Sequence, residues 1–242
     1  MKTVLITGAS RGIGAAAAIE FAKEGYNLIL ICKNNIEKLK ALSLDIASNN
    51  PEVTCHCLQC DISSPDDINK TLLPAIQNTH IDILVNNAGI SHIGLLQDMT
   101  YDEWREVIDT NLTSMYLLSK LVIPSMVRNN EGRIINISSM WGNVGASCEV
   151  AYSASKGGVN SFTKALAKEL APSNISVNAI AFGVVDTEMN QFLSEEDINA
   201  LMEEIPAGRF ATCKEAAKMI VNIANAPSYM TGQIITMDGG LT

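Results

Sequence analysis

The sequence predicts an α/β chain: one doubly wound Rossmann-type domain, with a parallel sheet of seven strands and helices on both faces. Three observations predict it. Short apolar runs alternate with longer segments of helical periodicity from end to end. The first run leads straight into a glycine-rich turn that opens an alanine-rich helix. No repeat, low-complexity tract or linker interrupts the 242 residues, a length that one large core can hold.

Taken in order, Val4–Ile6, Leu28–Ile31, Val53–Leu58, Ile81–Val85, Arg133–Ile137, Ser176–Ala181 and Gln233–Met237 read as strands. The segments between them, Ala15–Lys23, Ile36–Ala47, Asp66–Ile76, Glu103–Val127, Ser155–Leu170 and Lys214–Ala224, read as helices. Pro124 is expected to bend or end the longest of these. Strict β/α alternation implies right-handed crossovers and a parallel sheet covered on both faces. Ligands of such sheets bind beyond the carboxyl ends of the strands, so the residues just after each strand are the candidates for a site. The expected division is a cofactor half at about 1–130 and a catalytic and substrate half at about 131–242, within a single domain 1–242.

Composition narrows the function. Hydrophobic residues make up 47% of the chain and charged residues 18%, which suits a globular protein and not a disordered one. No apolar run reaches the length of a membrane span. The opening Met1–Thr7 stretch is quickly broken by Gly8 and does not read as an export signal, so a cytoplasmic location is expected. The formal net charge of −9 argues against nucleic acid or an anionic membrane as partner. Six cysteines, Cys32, Cys55, Cys57, Cys60, Cys148 and Cys213, are expected to be free thiols. Cys55-His56-Cys57-Leu58-Gln59-Cys60 has the look of a metal cluster. One extended strand does not easily wrap four ligands tetrahedrally, so strand cysteines without a metal are the expectation.

The first strand runs into Thr7-Gly8-Ala9-Ser10-Arg11-Gly12-Ile13-Gly14. Glycines let a backbone turn tightly against a pyrophosphate, and the helix N-terminus behind them supplies N–H donors and a positive dipole end. After the second strand, Ile31-Cys32-Lys33-Asn34-Asn35 lacks the acid that would accept hydrogen bonds from a ribose 2′-hydroxyl. Lys33 and Arg11 are instead two cations expected to converge on one phosphate, which points to NADP(H). Farther on, Tyr152 and Lys156 stand four apart at the start of a helix, on one face. A free tyrosine has a pKa of about 10, too high for efficient acid/base work at neutral pH, and a nearby ammonium is expected to lower it.

The spacing G-x-x-x-G-x-G and the elements after it resemble the classical short-chain dehydrogenase/reductase family over the whole chain. The resemblance implies that Gly8, Ser10, Arg11 and Ile13 hold the cofactor, with Lys33 beside them, and that Asp61 and Ile62 take the adenine. Asn86-Asn87-Ala88-Gly89 matches the family's N-N-A-G element, placing Asn87, Ala88 and Gly89 beside the adenosine ribose. Tyr229-Met230-Thr231-Gly232-Gln233 and Asp238-Gly239-Gly240 match its closing segment. Asn111, Ser139, Tyr152 and Lys156 resemble its complete catalytic tetrad. In that tetrad Tyr152 is the acid/base. Ser139 holds the substrate oxygen, Lys156 also bonds the nicotinamide ribose, and Asn111 holds a water that links Lys156 to solvent. Val185 and Thr187 would contact the carboxamide. Phe182 stands where the family usually has proline, which leaves open how the turn before Gly183 is held. Met189 to Ile205 would be a substrate lid.

For the substrate, the pattern is most similar to bacterial 3-oxoacyl-acyl-carrier-protein reductases, implying an NADPH-dependent reduction of a 3-oxoacyl thioester in fatty acid biosynthesis and a homotetramer. Two features pull away from acyl carrier protein as partner. The positions of its usual docking arginines hold Asn130 and Ser173, although Arg128 is close by, and the net charge is acidic. Glu149, just before Tyr152, with Trp141 after Ser139, is instead similar to reductases of the aminopentanone group on elongation factor P. A carboxylate at the substrate mouth suits a cationic amine. Glu149 pointing to solvent is the plainer alternative. A non-catalytic module that senses nicotinamide is the alternative of another class, though such modules usually lose the Tyr or the Lys.

Overall fold

The computed structural model describes residues 1–188 and 194–242. Seven strands, β1 (Thr3–Thr7), β2 (Asn27–Cys32), β3 (Cys55–Gln59), β4 (Ile83–Asn86), β5 (Gly132–Ser139), β6 (Ile175–Phe182) and β7 (Ile234–Met237), form one sheet. Their order is β3-β2-β1-β4-β5-β6-β7, and every pairing is parallel. The expected fold class is borne out.

Alternation along β1 shows why the sheet is apolar on both faces. Val4 and Ile6 pack with Ala17, Ala18 and Phe21 of the Gly12–Lys23 helix and with Ala216 and Ile220 of the Cys213–Ala224 helix. Leu5 points the other way, into a second cluster with Leu118, Val122 and Met126 of the Ser114–Asn129 helix and Leu166 and Leu170 of the Val150–Leu170 helix. Burial of both faces is what βαβ crossovers impose on a parallel sheet.

The chain winds outward from β1 to β3 and then returns to place β4 on the other side of β1. The loops after β1 and β4 therefore diverge at the carboxyl edge and leave a crevice between them, the position at which doubly wound sheets bind ligands.

One helical expectation is corrected. The stretch expected as one helix at Glu103–Val127 is a helix at Tyr101–Ile108, a π-turn at Asp109–Thr113 and a helix at Ser114–Asn129. Pro124 does not end the last of these, which continues to Asn129. Tertiary packing holds it there: Val122 and Met126, on either side of the proline, are both core residues. Asn130 closes this helix in the left-handed conformation, φ 50°.

Candidate active site

The glycine loop after β1 is a cradle shaped by close backbone approach. A Cβ on Gly14 would lie 2.4 Å from the Gly8 carbonyl oxygen, and one on Gly8, at φ +63°, would lie 2.9 Å from Ala88 Cα. The Asn87 side chain locks the loop from β4 by donating to the carbonyls of Thr7 (2.8 Å) and Gly8 (3.2 Å). Thr7 Oγ1 returns the tie by accepting from the N–H groups of Asn87 and Ala88. No side chain caps the N-terminus of the Gly12–Lys23 helix, so its first-turn donors stay available at the cleft, the arrangement that binds a phosphate. These residues fit a dinucleotide.

A cleft of about 610 Å³ begins at this cradle. Gly8, Ser10, Arg11, Ile13, Lys33, Asp61, Ile62, Asn87, Ala88 and Gly89 line it on the cradle side. Ser139, Trp141, Glu149, Tyr152, Lys156, Phe182, Val185 and Thr187 line it on the other. The candidate catalytic, cofactor and substrate residues, Asn111 excepted, thus meet around one cleft.

The cations are arranged differently from expectation. Lys33 is paired with Asp61 at 2.8 Å. The register that sets Cys32 beside Gln59 brings the two loop ends together. Arg11 is paired with Glu188 at 2.9 Å, and the second cation on that carboxylate is Lys38, at 2.6 Å. Arg11 and Lys33 therefore do not converge on one group here. Lys38 was hidden by its place inside the first turn of the Ile36–Asn49 helix, where a lysine reads as an ordinary solvated residue.

On the catalytic side, Ser139 ends β5, while Tyr152 and Lys156 lie one turn apart in the Val150–Leu170 helix. Lys156 is 2% exposed. Its ammonium donates to the Ile137 carbonyl at 2.7 Å and sits 5.5 Å from the Tyr152 ring centroid. Burial brings Lys156 down to about 8. Burial likewise pushes the Tyr152 phenol up to about 12; the Ser139 hydroxyl opposes this and the Glu149 carboxylate adds to it. The expected lowering of Tyr152 by Lys156 is absent in this structure: burial raises the phenol, and the group that opposes the rise is the Ser139 hydroxyl.

Asn111 is fully buried in the π-turn. Its Nδ2 donates to the Ile90 carbonyl (2.8 Å) and to Ser155 Oγ (3.0 Å), and its Oδ1 accepts from the Ile90 N–H (2.8 Å). Both amide hydrogens are used, so a water at this side chain would be held by donating to Oδ1.

The turn around Phe182 needs no proline. Phe182 is the last residue of β6, in register with Ser139 of β5 and Met237 of β7, and its carbonyl accepts the Met140 N–H at 2.9 Å. Its side chain is 3% exposed and belongs to the core, so it supports Ser139 more than it meets a substrate. Gly183 then passes so close to the chain that a Cβ would lie 2.6 Å from Asp238 Cα.

At the mouth, Glu149 is partly exposed and lines the cleft, and its carboxylate accepts a 2.5 Å hydrogen bond from Ser91 Oγ. Leu201 of the Glu195–Glu204 helix also reaches this cleft. The expected lid thus contributes a wall residue, although its 189–193 portion lies outside the described residues. Cys60, at the end of the cysteine-rich stretch, borders this cleft as well. Burial raises Cys55 to about 11 and Cys60 to about 12, keeping both as thiols. Among the described residues, no group of three His, Cys, Asp or Glu is close enough to hold a metal ion.

The family model described as short chain dehydrogenase matches residues 2–198. An uncharacterized oxidoreductase of Bacillus subtilis, YmfI, is 43% identical, covering 99% of this chain and 98% of that protein. The 3-oxoacyl-[acyl-carrier-protein] reductase FabG of Aquifex aeolicus is 40% identical, covering 99% and 97%. Among solved structures, the corresponding reductase of Brucella melitensis superposes with a TM-score of 0.92 at 32% identity, covering 99% of this chain and 91% of that one. YwfH, described as an NADPH-dependent reductase involved in bacilysin biosynthesis, gives 0.93 at 25% identity, covering 100% and 98%.

Proposed function

The chain belongs to the short-chain dehydrogenase family and is an oxidoreductase that uses a nicotinamide cofactor, and from that premise we propose that it reduces a ketone to a secondary alcohol with NADPH, its substrate a 3-oxoacyl thioester. One observation carries the reaction type: Ser139, Tyr152 and Lys156 line one cleft together with the glycine cradle.

When bound, the cofactor supplies a hydride. The cradle and Asn87 would hold its pyrophosphate end, Asp61 and Ile62 the adenine, and Val185 and Thr187 the carboxamide. Tyr152, at about 12, keeps its proton at neutral pH and is therefore in the form that donates to a developing alkoxide. Ser139, against the phenol, is positioned to hold the same oxygen and stabilise its charge. Lys156, at about 8, is largely charged at neutral pH and places a cation beside the ring. Asn111 acts through Ile90, fixing the wall after β4.

The thioester reading rests on the 3-oxoacyl-acyl-carrier-protein reductases among the relatives. With it goes acyl carrier protein as partner and a homotetramer formed through the helices around Asn111 and Tyr152. One observation favours a second substrate class. Glu149 is turned into the mouth, where a carboxylate would recognise a cationic amine, such as the aminopentanone group carried by elongation factor P. NADPH oxidation measured on acetoacetyl thioesters and on amino-ketones tests both readings. Turnover of the thioester and none of the amine supports the first, and the reverse supports the second. Tyr152→Phe should lower turnover by about 10²–10⁴ with cofactor binding intact. Retained activity would refute the assignment of Tyr152.

A further inference from the structure

We propose that Lys38, and not Lys33, is the partner of Arg11 in holding the 2′-phosphate of NADP(H), and that Glu188 occupies this cation pair until the phosphate displaces it. The inference rests on the NADPH reading above and identifies which residues of this chain would enforce it.

Two geometric facts lead to it. The first is that Arg11 and Lys38 already converge on one anionic group. Arg11 Nη1 reaches Glu188 Oε2 at 2.9 Å and Lys38 Nζ reaches Oε1 at 2.6 Å, so each cation serves its own oxygen. A pair of donors spaced for two oxygens of one carboxylate is also spaced for two oxygens of a phosphate monoester. The second is that Lys33 is taken. Its ammonium lies 2.8 Å from Asp61 Oδ2, on a carboxylate whose Oδ1 is held by the Ser63 N–H and hydroxyl, so Lys33 is directed to Asp61 and not to the group that Arg11 contacts.

The exchange has a favourable direction. At neutral pH a phosphate monoester carries a charge of about −1.5 to −2 and three acceptor oxygens, whereas Glu188 offers one charge and two. All three side chains are partly exposed, at 54% for Arg11, 53% for Lys38 and 35% for Glu188. An ion pair so open to water is weak and readily traded. NADH lacks the phosphate and would leave the Arg11–Glu188–Lys38 group in place. Glu188 would then act as a competitor to NADPH alone, which makes it a discriminator between the two cofactors in its own right.

The test is binding, measured by titration calorimetry with NADPH, NADH, 2′,5′-ADP and 5′-ADP on the wild type, Lys38→Gln, Lys33→Gln and Glu188→Gln. The expected result is that Lys38→Gln weakens NADPH and 2′,5′-ADP about tenfold and leaves NADH and 5′-ADP within about twofold. Glu188→Gln should tighten NADPH and 2′,5′-ADP about threefold or more with NADH unchanged. If Lys33→Gln carries the loss and Lys38→Gln does not, the assignment of Lys38 is overturned. If Glu188→Gln weakens NADPH, Glu188 is a support for the site and not its occupant. If the wild type binds NADH as tightly as NADPH, the NADPH reading itself fails, and that outcome is visible before any variant is made.

Discussion

Asn111 and Ile90 hold each other by two opposed hydrogen bonds of 2.8 Å, the Ile90 N–H to Oδ1 and Nδ2 to the Ile90 carbonyl. The amide thereby imitates a neighbouring strand for the chain just past β4, at a point where the sheet has ended. Asn111→Ala would leave both backbone groups of Ile90 without these partners. It is expected to cost about 2–3 kcal/mol in urea unfolding and to speed amide exchange at Ile90. A variant as stable as wild type would show that water replaces the clamp freely.

Lys156 makes a prediction of opposite sign. Its charge is buried with one carbonyl as acceptor, and burial depresses it from 10.5 to about 8. Below about pH 8 the folded protein carries the full cost of that charge. Between about 8 and 10.5 the folded state gives up the proton while the unfolded state keeps it, so the cost fades as pH rises. Lys156→Met is therefore expected to be inactive yet more stable at pH 7, by about 1–3 kcal/mol, with the gain shrinking toward pH 10. Equal stabilities at pH 7 would contradict this.

Gly14→Ala tests the cradle. The new Cβ would meet the Gly8 carbonyl oxygen at 2.4 Å and Asn87 Nδ2 at 2.6 Å, one of them backbone. The expected outcome is loss of cofactor binding in calorimetry, with destabilisation of about 2–4 kcal/mol in denaturant melts.

Glu149→Gln separates the substrate classes. The carboxylate raises the Tyr152 phenol, so its removal should shift the basic limb of the pH–rate profile downward. Turnover of a cationic amino-ketone should fall about tenfold or more while a neutral ketoester changes little. Unchanged amino-ketone turnover would remove the cation site from consideration.

Most of the fold could be read because a parallel sheet buried on both faces writes its strands as continuous apolar runs; Leu28–Ile31 lies wholly within β2. Many cleft residues were legible because they follow strands directly, and Tyr152 and Lys156 because they stand four apart on one helix. What escaped depended on neighbours distant in sequence. Lys33 finds Asp61 through the register between β2 and β3, and Lys38 finds Glu188, 150 residues away in sequence. The π-turn at Asp109–Thr113 has no local signature, since Glu103–Val127 carries helical periodicity throughout. The desolvation that raises Tyr152 needs depths that no pattern of letters contains.

That π-turn has a consequence for how the gene can change. It is one residue of slack wound into an otherwise regular helical rod, and each residue of helix turns the rod by about 100°. Deleting a single codon within 109–113 would relax the rod into a plain α-helix and rotate Asn111 relative to everything that follows. The shorter chain would have the more regular helix and would lose the clamp on Ile90. Regularity of the helix and the clamp on Ile90 are therefore alternatives, and this chain carries the clamp.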